Sequence, residues 1–284
     1  MTSALILVLK LSVGAIILAI GMGSRLSDLA YLWKRPGLMF RSLLAMYVLV
    51  PLVAFALVKL LVLPTGVEIG LLVLAVSAGA PLLPRKLMYL GQGEYVFSLV
   101  VISTLLAIFI VPAWLAVLGP HFGNPDPLEP GRIALVLAKS FFLPLAAGML
   151  MRWLFPVFAE RFGDRLMGIA GLMLVVCALA LFALHWDVLL EAHWDGVLTL
   201  AGLTVAALAI GHWLGGTDED NRTALAIACS TRHLGIAVLV AASVPGPRTA
   251  VIVAAYILIA AAVSIPYLKW RRRMSRATEP AALD

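Results

Sequence analysis

Between Ala224 and Val240 the chain is apolar at both ends and carries Ser230, Thr231, Arg232 and His233 at its centre. An arginine in the middle of a membrane helix costs about 2.5–3.5 kcal/mol on insertion scales. A sequence keeps such a charge where it faces a cavity, a partner or a ligand. Gly235 follows at once, so the backbone here can open as well as carry polar groups. A second stretch answers it in the first half of the chain, from Ala78 through Pro81 and Pro84 to Arg85 and Lys86. The two prolines remove two backbone donors and interrupt a helix, and the arginine is again followed by a basic residue. Two interrupted apolar segments in corresponding positions of two halves are the sequence pointer to a transporter binding site.

Composition sets the solvent for these segments. The chain of 284 residues is 63% hydrophobic and 13% charged, with a mean hydropathy of +1.05. A soluble domain of that length needs far more polar surface, so an all-α polytopic membrane protein is expected, with room for about nine spans of some 20 residues. The formal charge of +6 gives no argument for nucleic acid, because membrane proteins concentrate Lys and Arg in cytoplasmic loops. Cys177 and Cys229 both lie in apolar stretches, a pattern that suggests neither a disulfide framework nor a metal site. The N-terminus lacks a basic leader and a cleavage site and reads as a first span.

The expected spans cover about 4–22, 37–61, 67–92, 94–118, 132–151, 166–184, 196–214, 217–240 and 249–268. The third and the eighth are the interrupted ones. Thr217 is expected to cap the eighth, with Asp220 in its first turn at the positive end of the dipole. Trp186 and Trp194, each between a His and an Asp, read as interfacial anchors. Basic residues gather at Arg25–Arg35, at Arg152–Arg165 and after Leu268, while acidic loops hold Asp126/Glu129 and Asp187/Glu191/Asp195. This asymmetry puts the N-terminus outside and the C-terminus in the cytoplasm, in what is expected to be a bacterial inner membrane. Residues 1–119 then form a first repeat of four spans, 120–165 a linker and fifth span, and 166–273 a second, inverted repeat. Residues 274–284 read as a disordered cytoplasmic tail. The two broken helices, near 81–86 and 229–235, are expected to cross.

Several short motifs carry a resemblance. Gly21-Met-Gly23 closes the first span, Lys34-Arg-Pro36 precedes the second and Pro51 lies within it. Tyr89-Leu-Gly-Gln-Gly93, Ser103-Thr-Leu-Leu106 and Gly235-Ile-Ala237 follow in order. Over nearly its whole length the chain resembles the bile acid/sodium symporter family. The resemblance implies inverted repeats with two broken helices crossing beside two sodium ions and an organic anion; this chain would lack the first helix of the ten-helix versions. It departs from the family where the ions would bind. Pro84 and Arg85 stand where the family has a Ser-Asn pair, Ala228 where it has a sodium-binding Glu, Arg232-His233 for its Gln-Asn and Met46 for a core Gln. Of the sodium-ligand positions, Ser98 is the main side-chain survivor.

A relative that has replaced its ions with fixed cations is the expectation. It would be a secondary transporter moving a small organic anion by alternating access, without sodium and with His233 to suspect if transport is proton-linked. Arg offers a planar fork suited to carboxylate, sulfonate or phosphate. The substrate-binding candidates are Arg232, Arg85, His233, Ser230, Thr231, Lys86 and Ser98, with Pro81, Pro84 and Gly235 as the breaks. Arg232→Gln is expected to abolish anion binding and leave the fold intact. No metal and no cofactor is expected, and partners reduce to the anion and the bilayer. A non-transporting membrane sensor or scaffold that kept the fold competes with this reading. An enzyme does not, because neither His-Glu-x-x-His nor a Ser with a plausible base is present.

Overall fold

The computed structural model describes residues 2–24, 26–78, 93–118, 131, 135, 138–191, 193–241 and 248–278. Every regular element among them is helical. In chain order these are α1 (Thr2–Gly23), α2 (Leu26–Trp33), α3 (Pro36–Leu60), α4 (Thr65–Val76), α5 (Gly93–Leu118) and α6 (Leu143–Leu154). They are followed by α7 (Pro156–Leu184), α8 (Trp186–Glu191), α9 (His193–Leu214), α10 (Glu219–Thr231), α11 (Leu234–Ala241) and α12 (Arg248–Thr278). Among the described residues five helices, α3, α5, α7, α9 and α12, hold stretches long and apolar enough to cross a membrane. Leu7–Gly23 and Thr65–Val76 are shorter apolar helices. The chain is an all-α integral membrane protein.

Glycine sets how closely the helices approach. α1 packs against both α6 and α7. At its crossing with α6, a Cβ on Gly148 would lie 2.2 Å from Leu18 O and 2.9 Å from Gly21 Cα. The two backbones therefore touch, the small-residue packing that replaces hydrophobic driving force inside a bilayer. α9 meets α10 in the same way, where a Cβ on Gly211 would lie 2.5 Å from Ala226 Cα. α4 is buried on all sides from Ile69 to Val76, as expected of a helix that is hydrophobic all round. It rests on α12, with Gly70 against Ile252.

Three local details differ from the sequence expectation. The cap of α10 is Asp218, whose carboxylate accepts from Asn221 N at 2.8 Å, rather than Thr217. The Arg-rich stretch 152–165, expected as a link, is helical except at Phe155, where α6 turns directly into α7. α12 runs to Thr278, past Arg273 where a polar tail was expected to begin. Pro51 leaves a further mark. The turn just before it, Ala45–Leu49, widens into a π-helix in which Val50 N donates to Ala45 O. A second π turn, Ala138–Phe142, precedes Pro144 in the same relation.

Candidate functional site

α4 ends at Val76, five residues before Pro81, and the last four carbonyls of any helix need donors from elsewhere. All four find them. Val73 O accepts from Ser77 Oγ at 2.6 Å and from Ser77 N at 3.2 Å. Leu74 O accepts from Arg232 Nε at 3.0 Å and from Ser77 N at 3.1 Å, and Ala75 O accepts from Arg232 Nη2. Val76 O accepts from Ala78 N at 2.8 Å. The guanidinium at the break between α10 and α11 therefore caps the C-terminus of α4. A cation there also meets the negative end of the α4 dipole.

A third acceptor comes from α3. Pro51 has no N–H, and the carbonyls it would have served are Tyr47 O in the α register and Met46 O in the π register. Tyr47 O instead accepts from Trp114 Nε1 at 2.9 Å, and Met46 O from Arg232 Nη1 at 3.2 Å. Arg232 is thus held by three carbonyls from two other helices and is 0% exposed. No carboxylate accepts from it among the described residues. Its backbone sits at φ +50°, ψ 168°, a region that suits glycine and costs other residues about 1–3 kcal/mol. Strain of this kind persists only where the surroundings fix it.

His233 completes the junction. Its backbone N donates to Ser77 O at 2.7 Å, so the α10–α11 break meets the end of α4 through main chain as well as through Arg232. Its Nδ1 accepts from Ile236 N at 3.3 Å, capping α11 three residues on. Accepting at Nδ1 places the proton of a neutral ring on Nε2. That buried Nε2 has no hydrogen-bond partner among the described residues. The ring stands edge-on to Phe141, with centroids 4.8 Å apart.

Ser230, Thr231, Arg232 and His233, consecutive in the chain, take unlike tasks. Ser230 is fully buried; its Oγ donates to Ile227 O at 3.1 Å and lies 3.4 Å from Ser264 Oγ. Its carbonyl accepts from Tyr256 Oη at 2.5 Å, so α12 serves one of the terminal carbonyls of α10. Thr231 Oγ1 donates to Ile227 O at 2.8 Å, and the residue is partly exposed. Gly235 lies in the first turn of α11. Ser98 is built into the contact between α2 and α5, its Oγ accepting from Leu32 N at 3.3 Å. Ala228 is fully buried on α10. Pro81, Pro84, Arg85 and Lys86 lie outside the described residues. Sequence reasoning missed Ser77, Tyr256, Phe141 and the Met46 carbonyl; only the last carried a signal, the proline five residues further on.

A model of the Sodium Bile acid symporter family matches residues 10–192. The chain belongs to that family. It is 23% identical over 84% of its length to the "Uncharacterized sodium-dependent transporter YocS" of Bacillus subtilis, of which it spans 74%. It is 24% identical over 80% of its length to the "Probable sodium/metabolite cotransporter BASS2, chloroplastic" of Oryza sativa subsp. japonica. A second plant protein, "Probable sodium/metabolite cotransporter BASS5, chloroplastic" of Arabidopsis thaliana, is 25% identical over 66% of the chain. The chain spans about half the length of the two plant relatives, 55% and 47%. Family and relatives make it a membrane transporter.

Proposed function

We propose that this symporter-family member moves a small organic anion by alternating access and uses Arg232 where a sodium-coupled transporter would use a bound ion. The observation that carries the reading is the buried guanidinium held by the carbonyls of Leu74, Ala75 and Met46. Carbonyl oxygens at the negative end of a helix are what a hard cation seeks. Here a covalently attached cation already occupies them. A sodium ion beside it would meet repulsion, and Ala228 offers no anionic ligand in compensation.

The same arrangement favours an anionic substrate. Arg232 brings a full positive charge into the core, the end of the α4 dipole offsets about half of it, and no described carboxylate neutralises the rest. An anion docking near the break would complete the balance. Arg232 itself has its face turned to backbone, so it acts through the field while His233 Nε2–H supplies a direct donor. Arg85 and Lys86, from the other interruption, are further candidates to contact the anion. The loop charges support an inner-membrane protein with its C-terminus in the cytoplasm.

The test is thermal unfolding of the purified protein against a panel of carboxylates, sulfonates and phosphates, in sodium-free and sodium-containing buffer. Stabilisation by at least one anion class, equal in the two buffers, is the expected result. Stabilisation that appears only with sodium would refute the ion-free reading, and cationic or neutral ligands alone acting would refute the anion.

A further inference from the structure

α7 is longer than a span needs to be. Its 29 residues extend roughly 44 Å at 1.5 Å per residue, against a hydrocarbon core of about 30 Å. Leu166–Leu184 contains no charged residue and accounts for 19 of them, close to the full core thickness. The turn at Phe155 and the first ten residues of α7 therefore lie at headgroup level. On this projecting corner an open recess of about 660 Å³ is lined by Leu154, Phe155, Phe158 and Phe162 together with Arg161 and Arg165.

The lining is unlike an ordinary lipid-facing surface. The rings of Phe158 and Phe162 stack in parallel, 5.2 Å apart with an 11° angle between planes. Both are substantially exposed, at 51% and 41%. Arg161 and Arg165 are one helical turn apart, so their guanidinia share a face. Glu160 and Asp164 each precede an arginine by about 100° on the helix, Asp164 lies about 60° from Arg161, and neither acid lines the recess. Arg152, next to the corner, is already engaged with Met22 O at 3.0 Å. Two cations above a stacked apolar wall, at headgroup depth, match a phosphate ester joined to an acyl chain. Basic recesses between membrane helices are suited to such headgroups.

We propose that this recess at the α6–α7 corner binds a phospholipid with an anionic headgroup. The phosphate and the headgroup charge lie between Arg161 and Arg165, and the start of an acyl chain lies along Phe158 and Phe162. The site involves neither Arg232 nor the interrupted helices, so it stands or falls apart from the transport reading.

Native mass spectrometry and thermal unfolding of the full chain in detergent, with added phosphatidylglycerol, phosphatidylcholine or inorganic phosphate, test it. Phosphatidylglycerol should be retained at least tenfold more than phosphatidylcholine and should raise the unfolding temperature, and inorganic phosphate should do neither. The Arg161→Gln/Arg165→Gln variant should bring the two lipids to within about twofold. The variant Arg161→Lys/Arg165→Lys should keep most of the preference, and Arg272→Gln/Arg273→Gln all of it. Equal retention of the two lipids by the unaltered protein would overturn the proposal without recourse to any variant. So would an undiminished preference in the double Gln variant, or equal stabilisation by inorganic phosphate, which would make this a site for free anions.

Discussion

Arg232 has five N–H groups in a fixed fork, and its hydrogen bonds go to the carbonyls of Leu74, Ala75 and Met46, of which only Leu74 O also accepts from its own helix cap, Ser77 N, at 3.1 Å. That changes what its removal should do. Read from sequence, Arg232→Gln leaves the fold intact because it deletes a costly charge. In the structure it strips the donor from Ala75 O at the end of α4 and from Met46 O within α3, each worth about 1–3 kcal/mol when left unmet. Arg232→Gln is therefore expected to lose roughly 2–5 kcal/mol of stability, read as a lower midpoint of thermal unfolding in detergent. An unchanged midpoint would show that the carbonyls find other donors. His233 separates differently. His233→Asn keeps an N-cap acceptor for α11 and removes Nε2–H, so stability should stay within about 1 kcal/mol while anion affinity falls. Titration calorimetry with an anion that stabilises the unaltered protein checks the affinity, and an equal affinity in His233→Asn would remove Nε2–H from the site.

At the scale of the helices, the close crossing of α1 and α6 makes a contrast between two glycines. Gly148→Ala would push a methyl into Leu18 O and the α1 backbone, costing about 1–3 kcal/mol. Gly168→Ala, on α7, meets nothing within 4 Å and should be neutral or stabilise by up to about 1 kcal/mol. Equal midpoints for the two variants would contradict the packing. α12 and the start of α10 are joined by Arg271, which donates to Glu219 Oε2 at 2.7 Å, to Glu219 O at 2.9 Å and to Thr223 Oγ1 at 2.9 Å. Glu219 is 59% exposed, so Glu219→Gln should cost at most about 1 kcal/mol. Arg271→Ala, which also gives up the buried Thr223 and main-chain contacts, should cost more; the same unfolding assay ranks them. The second interruption was legible in sequence because polar residues inside an apolar run carry their own signal: α10 stops at Thr231 and α11 starts at Leu234. The end of α4 at Val76 was not, since prolines 81 and 84 mark where a helix cannot continue and not where it stops. The service that Arg232 gives to Leu74, Ala75 and Met46 was equally hidden, because every residue has a carbonyl and only tertiary contact selects three of them.

For the whole molecule, the α10–α11 break and the end of α4 are joined at one point by Arg232, with main-chain support from His233 N and Ser77 O. Family membership and the all-helical, apolar architecture were both readable from motifs and composition, since those properties are repeated along the whole chain. The proposed replacement of ions by an arginine rests on single positions, and it would separate this protein from the sodium-dependent naming of its relatives. Uptake of a stabilising anion into proteoliposomes made with the unaltered protein tests it most directly, with external sodium replaced by potassium or choline at constant ionic strength. Initial rates independent of sodium are the expected result. A saturable rise in rate with sodium concentration would contradict the assignment of Arg232 as the resident cation.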